Sequence, residues 1–167
     1  MNALKKLAAC AALALAVPAA QAAKVDLLDD CDAADPGWSS SGGCTIEEGD
    51  VSVAEFNALL TSASSTAVVG HPSWTISPTY LTLPADEKLR VRNHGGRAHS
   101  FTEVAAFGGG RVPPFNVGLT PAPECATATP IAPGMQADLQ LTAPGLHLFQ
   151  CCFHPWMRAA IRIAPAS

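Results

Sequence analysis

Apolar and polar positions alternate most clearly at residues 88–93, where Leu89 and Val91 fall on one face and Lys88, Arg90 and Arg92 on the other. A period of two is that of a half-buried strand. Residues 137–141 alternate in the same way, and segments at 74–76, 80–83, 100–105, 146–151 and 159–163 read as further strands. Turn formers separate them, among them Pro84-Ala85-Asp86-Glu87, Gly95-Gly96 and Pro144-Gly145. Many short strands with Gly/Pro turns and no internal repeat predict a β-sandwich or barrel. Residues 107–133 form a long Gly/Pro-rich loop containing Cys125, and that length implies a functional or disulfide-pinned loop. One segment follows another period. Ser52-Val53-Ala54-Glu55 is a capping box. Val53, Phe56, Leu59 and Leu60 then recur at helical spacing, which predicts a short helix over residues 53–60 with its apolar face on the β body.

The first residues read differently again. Lys5 and Lys6 precede an apolar run at 7–17, and Ala20-Gln21-Ala22 is a small-x-small pattern, so residues 1–22 are expected to be an export signal cleaved after Ala22. Leu7-Ala8-Ala9-Cys10 offers a competing lipoprotein reading, although little apolar sequence precedes Cys10. The run is too short to span a bilayer, and no later stretch is long enough for a transmembrane segment. The expected organisation is therefore a signal at 1–22, an acidic extension with a short helix at 23–66, and one β domain at 67–167, with the protein periplasmic or secreted.

Charge sharpens that division. The chain carries 14 acidic and 10 basic residues. Nine of the acids fall in residues 24–66 against a single lysine, whereas the remainder is mildly basic. Such a front segment serves solubility or steers a redox partner. Neither a basic stripe nor an aromatic platform points to nucleic acid.

Beyond the signal stand five cysteines, Cys31, Cys44, Cys125, Cys151 and Cys152. Cysteines of exported proteins are mostly paired, so an odd number leaves one free or bound to metal. Cys31 and Cys44 flank a Gly/Ser/Pro-rich loop and suit a local disulfide. If one of the adjacent Cys151 and Cys152 binds metal, the other is left for Cys125.

The chemistry concentrates in Cys151-Cys152-Phe153-His154-Pro155-Trp156-Met157. Cys151, His154 and Met157 have Cys-x-x-His-x-x-Met spacing in a short loop between two strands. A thiolate, an imidazole and a thioether from one hairpin end, joined by a second imidazole, make the donor set of a blue-copper site. His99, at the start of a strand after the Gly95-Gly96 turn, fits as that second imidazole, with His94 as its rival. Cys152 competes with Cys151 for the metal, and spacing favours Cys151. His71 is expected at the surface, and His147 shares strand parity with Cys151.

This loop resembles the copper loop of cupredoxins, and most of all that of amicyanin, in its run His154-Pro155-Trp156-Met157-Arg158. Asn93-His94-Gly95-Gly96-Arg97-Ala98-His99-Ser100-Phe101 resembles the family's upstream histidine segment. The resemblance covers residues 67–164. It implies an all-β Greek-key sandwich, one type 1 copper ion held by His99, Cys151, His154 and Met157, an Asn93 that ties the two ligand loops together, and an electron path through an exposed edge of His154. Cys152, the acidic extension and the long loop depart from the family's pattern. The function implied is transfer of single electrons between protein redox partners, with copper delivery or storage as the alternative. Catalysis is not expected, because the five histidines include no His-x-His pair for a second copper.

Overall fold

The computed structural model describes residues 22–62, 70–116 and 118–165. The expected signal peptide, with Cys10, lies almost wholly outside the described residues.

Among the described residues, eight strands form two four-stranded sheets. The first sheet has the order β2 (Thr75–Ser77), β1 (Ala23–Leu28), β4 (Lys88–Asn93), β6 (Gln136–Gln140). The second has the order β3 (Tyr80–Leu83), β8 (Arg158–Ile163), β7 (Gly145–Gln150), β5 (Thr102–Val104). Both are mixed: β1 runs parallel to β4 and β3 parallel to β8, while the other pairs are antiparallel. From β4 onward the chain changes sheet at each of the next three connections, the crossing pattern of a Greek key, and closes with the β7–β8 hairpin. The expected all-β sandwich is thus the observed architecture.

Its core follows from period-two patterning. Val25 and Leu27 of β1, Leu89 and Val91 of β4, and Phe149, Ile161 and Ile163 of the second sheet pack into one buried cluster. Phe101 and Phe149 stack within it at 4.3 Å. Lys24, Lys88 and Arg92 between the inward residues stay exposed.

The expected boundary at residue 67 needs correction. β1 lies within the acidic segment, yet it occupies an interior position of the first sheet, with Val25 opposite Val91. Lys24-Val25-Asp26-Leu27 is itself an alternating strand whose outward residues are charged. Residues 23–28 therefore belong to the β body.

The described remainder of the segment, residues 29–62, packs on one end of the sandwich. α1 (Val53–Ser62) begins where expected, with Glu55 N donating to Ser52 Oγ at 3.1 Å. Phe56 and Leu60 are buried, whereas Leu59 is 38 % exposed, so the packed face is narrower than its spacing implied. Asp35 joins α1 to the preceding 3-10 turn Pro36–Ser41 by accepting from Gly37 N and Val53 N. Among the described residues, no helix is long and apolar enough to cross a membrane.

Candidate metal centre

The β7–β8 hairpin and the β4–β5 connection meet at the end of the sandwich covered by α1. Cys151 follows β7 directly, and its N–H donates to Met157 O at 2.9 Å. Met157 N donates to His154 O, also at 2.9 Å, so the seven-residue loop is closed by its own backbone. His99 is fixed on the other side by two backbone hydrogen bonds with Ile131.

These loops bring His99, Cys151 and His154 together, with one donor atom of each lying within 4.8 Å of the others. The two imidazole Nδ1 atoms each lie 3.7 Å from Cys151 Sγ. Metal–nitrogen and metal–sulfur bonds of about 2.0–2.3 Å subtend N···S edges of about 3.5–3.8 Å, so the spacing fits an ion between these donors. All three residues are buried, His99 and Cys151 completely and His154 to 6 % exposure. Met157 is buried beside Cys151 in the same core cluster.

The rival assignments separate cleanly. Cys125 pairs with Cys152 and Cys31 with Cys44, and among the described residues Cys151 is the free cysteine. His94 faces Asp26 at 3.1 Å on the surface, away from the site. His147 lies between Glu103 and Ala143 O at the far end of β7. His71 is not the expected surface residue: it is 3 % exposed, stacked on Phe56 and edge-on to Trp74. Its neighbours Pro72 and Gly70 suggest an open turn, but Phe56 of α1 stacks on the His71 ring and covers it.

Charge is unevenly shared among the three donors. Burial works against a thiolate at Cys151, but hydrogen bonds from His154 and His99 outweigh it and hold the thiol well below its ordinary value. Burial also opposes charge on His99, yet hydrogen bonds to Asp29 and Cys151 raise it to about 9. For His154, burial prevails and keeps the ring neutral more readily than usual. The pocket therefore favours an anionic sulfur, the form that binds a metal.

Two expectations about the surroundings change. Asn93 is buried, but its amide donates to Arg97 O and Ile131 O and so ties the His99 loop to the long loop rather than to the Cys151 loop. Ser100 joins the two ligand loops: its N–H approaches Cys151 Sγ at 3.4 Å, and its hydroxyl accepts from Cys152 N at 2.8 Å. The expected exposed edge of His154 is reduced to 6 % exposure. Phe115 stacks on it at 6.0 Å, Trp156 meets it edge-on at 5.5 Å, and Phe56 packs on both of those rings. Gly70 closes this aromatic cap at a left-handed φ of 61°, where a Cβ would lie 1.9 Å from the Trp156 ring.

Asp29 gave no chemical signal in the sequence beyond its parity. It continues the inward face of β1 after Val25 and Leu27 and places Oδ2 2.6 Å from His99 Nε2. Ser100 carried no signal beyond its place next to His99.

No family model matches the chain, and no curated protein does. Among solved structures, a purple cupredoxin from Nitrosopumilus maritimus overlays with TM-score 0.47 at 12 % identity, covering 85 % of this chain and 99 % of that one. A mutant plastocyanin of fern gives 0.44 at 13 %, covering 84 % and 99 %. The M98A mutant of amicyanin in its Cu(I) form gives 0.38 at 15 %, covering 53 % and 72 %. These are partial overlays of weakly similar sequences.

Proposed function

We propose that this chain is an exported carrier of single electrons with one type 1 copper ion, which His99, Cys151 and His154 would hold, with Met157 as a weaker thioether donor. The observation that carries this reading is the convergence of two imidazole Nδ1 atoms on one buried, free cysteine sulfur, each at 3.7 Å. Two nitrogens and a thiolate, with a thioether in the same loop, are the donor set of blue-copper electron-transfer sites.

Bound copper supplies a couple that gains or loses one electron. The residues around it keep the site from rearranging between the two states. Cys151 is ready as an anion, and Ser100 N–H restrains its sulfur. The Cys125–Cys152 disulfide anchors the next residue to the long loop, and Ser100 Oγ pins the same backbone. Trp74, Phe115 and Trp156 surround His154 and keep water from it. His154 and the rings over it would lie between the ion and a protein partner docked at this capped end. Burial of all three donors favours a retained ion over one handed on, which supports the carrier reading over delivery.

Titration of the protein with Cu(II), followed by its visible spectrum, tests this. One equivalent is expected to produce an intense thiolate-to-copper band that a one-electron reductant bleaches reversibly and that Cys151→Ala lacks. Full band intensity in Cys151→Ala would overturn the assignment.

A further inference from the structure

Asp29 is a buried carboxylate that the ligand set leaves unused. It is 3 % exposed, and each of its oxygens accepts two hydrogen bonds. Oδ1 takes Cys31 N at 3.3 Å and Gly96 N at 3.0 Å, while Oδ2 takes Arg97 N at 3.0 Å and the His99 ring at 2.6 Å. The loop is shaped around it: a Cβ on Gly95 would lie 2.0 Å from Oδ2. The carboxylate comes from the end of β1, seventy residues before His99, so the N-terminal segment reaches the back of the metal pocket. Its contact is on Nε2, the nitrogen opposite the one turned to Cys151.

We propose that Asp29 is a positioning residue for the metal: it fixes His99 in the tautomer with the proton on Nε2 and Nδ1 free for the ion, and it biases the site toward oxidised copper. The inference rests on the copper reading above. A carboxylate behind a ligating imidazole orients the ring and makes it a stronger donor, and loss of such a partner lowers metal affinity by about 10–100-fold. A buried negative charge one ring away also favours the more highly charged ion, because attraction is weakly screened in the interior. The effect is therefore larger for Cu(II) than for Cu(I).

Asp29→Asn keeps the shape and one acceptor oxygen but removes the charge. Wild type and variant are compared for Cu(II) affinity, Cu(I) affinity and reduction potential. The variant is expected to remain blue, to lose roughly tenfold or more in Cu(II) affinity relative to Cu(I), and to rise in potential by about 59 mV for each tenfold change in that ratio. An unchanged ratio and potential, with only a lower melting temperature, would reduce Asp29 to a structural tie and overturn the proposal while leaving the copper reading intact. A wild type that takes up no copper overturns both. Should Asp29→Asn fail to fold, nitrogen NMR of wild type loaded with Cu(I) decides: a strongly downfield proton on His99 Nε2 supports the proposal, and a proton on Nδ1 contradicts it.

Discussion

Cys151 has two neighbours with opposite tasks: Met157 fills space beside it, and Ser100 directs an N–H at its sulfur. Whether Met157 is also a donor is separable from packing. Met157→Leu conserves volume and is expected to cost less than about 1.5 kcal/mol in denaturant unfolding. The absorption maximum and the reduction potential of the copper-loaded protein should both move, because the axial donor tunes them. If neither moves, Met157 is core filler. Away from the metal, His147 is raised above its ordinary 6.5 by Ala143 O first and Glu103 second. A raised folded value stabilises the protein fully below 6.5, and the contribution is lost as pH climbs through that folded value. The pair is partly solvated, so its effect on stability is small. Glu103→Gln should bring the NMR titration of His147 back toward 6.5, leaving only the part due to Ala143.

At the scale of elements, local period carried most of the fold. The strands at 80–83 and 88–93 stand where the sequence put them, the second by its alternation, and the Ser52 cap starts α1 as its sequence implied. β1 was illegible for a physical reason: Lys24 and Asp26 occupy its outward positions beside Asp29, Asp30 and Asp32, so its charge resembled a solvated extension. Its neighbour β4 is joined by parallel pairing across more than sixty residues, which no local pattern encodes. The placement of α1 was legible only as an apolar face; that Phe56 would reach the rings over His154 was not. Phe56→Ala should cost about 3–5 kcal/mol. It should also speed electron self-exchange, read from NMR line broadening in mixtures of the two oxidation states, because the cap thins over His154. An unchanged exchange rate at the expected loss of stability would mean that α1 does not limit access.

At the scale of the molecule, the two disulfides and the free thiol among the described residues follow the parity of the cysteines, and the spacing of Cys151 and His154 marked the loop that meets His99. The contributions of Asp29, Ser100 and the aromatic cap come from contacts distant in sequence, which spacing does not reveal. The Cys125–Cys152 bridge closes a separation of 27 residues. Replacing both cysteines with serine should cost about 3–4 kcal/mol of unfolding free energy, since the unfolded chain regains the freedom of that loop. The copper band should survive the change, because Cys151 remains; its loss would show that the bridge shapes the site itself. Removing the metal should lower the melting temperature, since an ion that binds only the folded state stabilises it. The most direct measurement is the electron paramagnetic resonance spectrum of the protein carrying one equivalent of Cu(II). A narrow copper hyperfine splitting, lost in Cys151→Ala, is the expected result. A wide splitting of the ordinary tetragonal kind, or a signal from unbound copper alone, would contradict the central claim that His99, Cys151 and His154 close around one copper ion.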